Sequence, residues 1–186
     1  MKTSSMKQRL INALAVTVIS TSSLGGIFLA SPAAMATVSA ASTSTIKYSE
    51  KDAVKKFQKE FKDSKVTEIQ LEEFAGSYRY EISGRDNTKE HNLYINAKNG
   101  QVTDKHSERL DNDDDDTALD LSKLISRKQA TKIAEKAAKS GKAHDWTLSY
   151  DDGNPVWEIE VGKGHKQHDV KVNADTKKVI SNEVDD

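Results

Sequence analysis

This 186-residue chain can be laid on itself at a constant offset of 77 residues without a gap, which leaves little freedom in what it can fold into. Tyr80-Glu81-Ile82 falls on Trp157-Glu158-Ile159, and Leu93-Tyr94-Ile95-Asn96-Ala97 falls on Val170-Lys171-Val172-Asn173-Ala174. Ser49, Ala53, Leu71, Gly76, His91 and Val102 meet identical residues at Ser126, Ala130, Leu148, Gly153, His168 and Val179. Registration over about sixty positions predicts two copies of one small fold. Units of that size sit near the lower limit at which a core sustains itself, so the copies have reason to lean on each other.

Within each copy the hydrophobic period changes once. Ser49 opens a helix with Asp52 three residues on, and Ser126 does the same with Gln129, a direct capping-box spacing. Val54, Phe57 and Phe61 share one helical face in the first copy; Ala130, Ile133, Ala134, Ala137 and Ala138 share one in the second. The smaller stripe leaves room that Trp146 and Trp157 can fill. Beyond each helix apolar residues alternate, as in Ile69/Leu71, Tyr78/Tyr80/Ile82 and Leu93/Ile95, and in Trp146/Leu148, Trp157/Ile159 and Val170/Val172. This is the pattern of strands with one buried and one wet face. Ala75-Gly76-Ser77 and Asp152-Gly153-Asn154 read as hairpin turns, as does Lys98-Asn99-Gly100. The expected fold class is α+β: two repeated units, each with one helix packed on a three- to four-stranded antiparallel sheet.

The flanking segments read differently. Lys2, Lys7 and Arg9 precede a largely apolar stretch from Leu10 to Ala30, followed by small-residue cleavage candidates ending at Ala36 and Ala40. Residues 1–40 thus read as a signal peptide and cleavage region in preference to an anchor, because Ser20-Thr21-Ser22-Ser23 interrupts the apolar run. Residues 41–46 are a Ser/Thr-rich spacer, 47–106 the first unit, 107–120 an acidic linker and 121–186 the second unit. Without residues 1–40 the chain has 25 basic against 29 acidic residues, a formal charge of −4, with no electrostatic footprint for nucleic acid. No second apolar run long enough to span a bilayer follows, so stable membrane insertion is not expected after cleavage. With no cysteine, the sequence offers neither a disulfide nor a thiol for lipid attachment. A cysteine-free exported chain with a long leader fits a Gram-positive bacterium.

The strand–turn–strand closing each copy, Leu93 to Val102 and Val170 to Val179, resembles the closing signature of PepSY domains: apolar-x-apolar, Asp or Asn, Ala, a turn, then a β-branched residue. Tyr80-Glu81-Ile82 and Trp157-Glu158-Ile159 resemble the family's aromatic-acidic-apolar strand, and the Ser-x-x-x-Ala helix start also fits. Asn96 and Asn173 stand where Asp is common, and Lys177 where Gly is usual, which marks a divergent member. The resemblance implies a domain found in peptidase propeptides and in envelope proteins, with no shared catalytic residues to carry over.

Candidate chemistry is sparse. No Gly-x-Ser-x-Gly elbow exists, and the chain is read as a non-enzyme with no cofactor. His165-Lys166-Gln167-His168 and His144 are read as solvated or structural residues, not as metal ligands. Asp111-x-Asp113-x-Asp115 imitates a calcium loop, but Asp116 and Ser122 occupy the positions needing Gly and Glu. The run is therefore read as a solvated spacer, with weak, loose divalent-cation association as the alternative. Its charge should hold the two units apart at low ionic strength, unless they share a firm interface. Phe74 and Tyr94 fall out of phase with the apolar alternation of their strands, which makes them the candidate protein-binding surface, unless they pack between the units. The expectation is a secreted, extracellular or wall-associated binding protein that modulates or inhibits an extracellular peptidase. The alternative is an envelope module for a ligand or cation.

Overall fold

The computed structural model describes residues 42–110, 117–139, 141–163 and 166–185. The signal-peptide reading of 1–40, the aspartate run 111–116 and His165 lie outside the described residues. Each copy is one helix followed by four strands: α1 (Glu50–Glu60), β1 (Lys65–Phe74), β2 (Ser77–Arg85), β3 (Lys89–Asn96) and β4 (Val102–Arg109), then α2 (Arg127–Ala138), β5 (Ala143–Asp151), β6 (Asn154–Lys163), β7 (Lys166–Asn173) and β8 (Val179–Asp185).

The strands do not form two sheets. They form one antiparallel sheet of eight, in the order β4-β3-β2-β1-β5-β6-β7-β8. The seam is the β1·β5 pair, where Gln70 faces Thr147, Ile69 faces Leu148 and Leu71 faces Trp146. At the 77-residue offset Gln70 is equivalent to Thr147, Ile69 to Trp146 and Leu71 to Leu148, so a pseudo-twofold axis passes through the Gln70/Thr147 pair. The expectation of two separate units held apart by charge is thereby corrected. Strand alternation is the same whether a unit's outer strand faces water or a second copy, and pairing β1 with β5 removes two exposed edges at once.

Both helices cover the same face, because Ala53 and Phe57 of α1 and Ala130, Ala134 and Ala138 of α2 enter one cluster with Ile69, Tyr80, Leu148 and Trp157. Tyr78 and Trp146 tilt against each other across the seam at 6.0 Å between ring centroids. Each helix is capped as its spacing predicts: Ser49 Oγ accepts from Asp52 N–H at 3.2 Å, and Ser126 with Gln129 completes a capping box. The two-residue hairpins place Ala75 and Asp152 at φ 49°, followed by Gly76 and Gly153 at φ 76° or less, the left-handed pair a type I′ turn requires.

Two flanking segments are more ordered than expected. Thr43–Thr45 form a 3₁₀ turn, and Ile46 packs against the core, which ties the spacer to the first copy. β4 runs through Ser107 to Arg109, into what reads as linker, because an edge strand exposed on both faces shows no apolar alternation. Leu119 N–H then donates to Val66 O and brings the chain back to the centre of the sheet.

Candidate functional site

The face of the sheet opposite the helices is uncovered by any described element, and its first half carries both residues singled out by phase. Phe74 ends β1, Tyr94 lies on β3, and Arg79 of β2 stands between them. The Arg79 guanidinium sits 3.7 Å from the Phe74 ring centroid and 4.7 Å from that of Tyr94. Glu72, directly across the ladder, pairs with Arg79, whose Nε lies 3.2 Å from Glu72 Oε1. Tyr94 OH donates to Glu81 Oε1 at 3.1 Å, and its phenol is pushed up to about 12 by burial and then by the Glu81 charge. Phe74 remains 53% exposed. The two aromatics thus form one surface with Arg79 of their own copy and do not fill an interface between copies. A guanidinium held between two rings keeps its charge near the surface while its stem is immobilised, a rigid platform for a flat or anionic group. Sequence phase found the aromatics but not Arg79, whose place between them needs the register.

Beside the seam the same face is acidic. Asp145 lies opposite Glu160 in the β5·β6 ladder. Its carboxyl is pushed up to about 7, first by burial, then by the Glu160 and Glu72 charges. Like charges directly across a ladder oppose ionisation of both. Nothing in the sequence pattern marked Asp145, because its environment comes from two neighbouring strands.

On the helical side the copies meet at their helix N-termini. Glu50, the first residue of α1, accepts from Arg127 N–H at 3.1 Å, and Arg127 Nε lies 3.5 Å from Glu50 Oε2. Arg127 also lies over the Trp146 ring at 4.7 Å. Glu50 thereby satisfies an orphan donor of the other copy's helix while sitting at the positive end of its own. Next to this pair opens a groove of about 630 Å³, floored by Val54, Ile69, Leu148 and Trp157 and flanked by Leu121 and Leu124. It draws on both copies and on the segment joining them, so no single repeat announces it.

Two histidines, equivalent across the repeat, are held by side-chain partners. His91 is buried, with Nδ1 2.7 Å from Ser107 Oγ, Nε2 3.0 Å from Asp86 Oδ2 and its ring stacked on Phe61 at 4.3 Å. Asp86 is held well below the usual carboxylate range by that histidine and by the N–H groups of Thr88 and Lys89. His168, its counterpart, has Nδ1 2.8 Å from Asn182 Oδ1. Among the described residues no group of three or more His, Cys, Asp or Glu is arranged to hold a metal ion.

Residues 47–106 and 124–183 each match the family described as the peptidase propeptide and YPEB domain, PepSY. The chain belongs to the PepSY family. No curated protein matches it. Among solved structures, the PepSY chain is similar to a candidate lipoprotein of Clostridium difficile 630, with a TM-score of 0.69 and 26% identity over 75% of this chain and 95% of that one. The two PepSY copies give the fold and its duplication; the surfaces above are features of this chain's own residues. Among the described residues no helix is long and apolar enough to cross a membrane.

Proposed function

We propose that the protein is a non-catalytic binding module acting outside the cell or in its envelope, and that it modulates an extracellular peptidase through the open face of its first PepSY copy. PepSY domains are of the propeptide or regulatory type, which supports a binding role over a catalytic one. The similar structure from C. difficile is described as a candidate lipoprotein, which supports an envelope setting. With no cysteine for a lipid, this chain would be released or held at the wall by other contacts. The observation that carries the reading is the Phe74–Arg79–Tyr94 stack on an uncovered sheet face. Its rings and guanidinium are the side-chain types that dominate protein interfaces.

The test incubates the protein with culture-supernatant peptidases and follows their activity. The expected result is a dose-dependent change that Arg79→Ala abolishes, while melting curves show that the variant still unfolds cooperatively. Unchanged proteolysis with the wild-type protein would sink the peptidase reading. An effect that survives Arg79→Ala would move it off this face.

A further inference from the structure

The two ends of the sheet are equivalent in position and differ in chemistry, with four charged residues on β4 and only Glu183 and Asp185 on β8. β4, the outer strand of the first copy, reads Val102-Thr103-Asp104-Lys105-His106-Ser107-Glu108-Arg109, and Lys105 is tied across to Glu60 of α1. Charges along an edge deter further strand pairing. β8, its counterpart, leaves Val179, Ile180 and Val184 at 43%, 54% and 53% exposure. β8 pairs with β7 on one side, and no described strand lies on the other. An antiparallel edge strand points every second residue's N–H and C=O outward, so β8 offers a row of ladder positions together with apolar side chains.

The helix above completes the difference. In α1 the positions facing the outer strand hold Lys56, which bonds to Gly100 O and lies 5.5 Å from the Tyr48 ring centroid, and Glu60, bound to Lys105. In α2 the equivalent positions are Ile133 and Ala137. With Val179, Lys132 and Lys136 they line a shallow concavity of about 560 Å³ between helix and edge. α2 carries Arg127, Lys128, Lys132 and Lys136 against the single acid Glu135, whereas α1 carries Glu50, Asp52 and Glu60 among its lysines.

We propose that the β8 edge is a strand-addition site for an extended peptide segment bearing an apolar residue with acidic residues two positions away. The backbone of such a segment extends the sheet. Its apolar side chain enters the Ile133/Ala137/Val179 concavity, and its carboxylates reach Lys132 and Lys136. The period of two in an extended chain puts these side chains on one face, toward the helix. This site is at the far edge of the second copy and does not depend on the open-face reading.

The test uses the full chain and a short fluorescein-labelled peptide with glutamate, valine and glutamate at alternate positions and threonine between them. A lysine-valine-lysine peptide serves as its counterpart. Anisotropy should show saturable binding of the acidic peptide, and K132E/K136E should weaken it about tenfold while favouring the lysine peptide. Both substituted residues are exposed, so the fold is kept. Hydrogen exchange should slow in β8 when the acidic peptide binds. Absence of saturable binding overturns the proposal, as does binding indifferent to the charge swap. Protection confined to β4 or to the groove between the helices also overturns it. So does protection of β8 in the peptide-free protein that rises with concentration alongside a dimer, because a second copy would then be the occupant.

Discussion

Laid on each other, the two copies keep their backbone and exchange their side chains. Phe57 of α1 presses so close to Gly84 of β2 that a Cβ there would lie 2.8 Å from the ring. The equivalents are Ala134 and Val161, both buried, so volume has moved from helix to sheet. Ile69 at the seam corresponds to Trp146, whose Nε1 donates to Thr131 Oγ1 at 2.8 Å where the first copy has Val54. Tyr80 donates to Tyr48 O at 3.0 Å, and its counterpart Trp157 donates to Ile125 O at 2.9 Å, onto the equivalent carbonyl. The anchor survives a change of ring. These exchanges show a core that conserves total volume and polar satisfaction, not particular residues. The open faces are under no such constraint. Phe74, Arg79 and Tyr94 become Asp151, Val156 and Lys171, and a cation between rings gives way to Lys171 bound to Asp151 at 2.9 Å. A duplicated fold can therefore carry different surfaces on its two halves.

The sharpest way to break the comparison is to remove the ring anchors. Trp157→Ala and Tyr80→Ala should each destabilise by about 3–5 kcal/mol. Trp157→Phe should cost less, since it removes the donor to Ile125 O but keeps an aromatic ring. Urea midpoints compare all three, and a Trp157→Ala midpoint equal to wild type would mean the anchors are not equivalent.

Asp145 tests the acidic side of the seam. Its carboxyl is pushed up to about 7 from an ordinary 3.8, so between those values the folded protein holds a proton that the unfolded chain has lost. Stability contributed by this group therefore falls as pH rises and is lost above pH 7. Asp145→Asn keeps an acceptor for the backbone N–H and removes the charge. It should be more stable than wild type at pH 8, by an amount on the order of 2 kcal/mol, with the two converging near pH 4. Melting curves across that range check the sign, and a gap that does not vary with pH would refute it.

The smallest effect concerns the closing turns. Gly100 takes φ 73°, and a Cβ there would strike the Tyr48 ring; Lys177, its equivalent, holds φ 65°, and Ile125 stands in the sequence place of Tyr48. Gly100→Ala should cost more than about 1 kcal/mol, whereas Lys177→Gly should stabilise by about 0.5–1 kcal/mol through relief of left-handed strain. Opposite signs at equivalent positions are the expected thermal-melt result.

Much of this was legible in the sequence because period and repetition are local. The strand phase placed Trp157 in the core, the dipeptides Ala75-Gly76 and Asp152-Gly153 placed the hairpins, and the capping spacings placed both helix starts. The single sheet was not legible, since Ile69 and Leu71 alternate in the same way with or without a partner across the seam. Nor was Ser107–Arg109 as strand, because every residue of β4 is exposed. Phe74 and Tyr94 stood out by phase; Arg79 between them and the raised Asp145 arise from neighbours on other strands.

The ion pair at the pseudo-twofold axis bears on how the chain meets others of its kind. A seam related to itself by a half-turn is self-complementary, so a first copy from one molecule could dock on a first copy from another by exchanging strands. That mispairing would set Glu50 against Glu50, and the same arrangement between second copies would set Arg127 against Arg127. Only the mixed pairing places opposite charges there, at 3.5 Å. Two halves joined in one polypeptide are thus biased to close on each other and not to propagate from molecule to molecule.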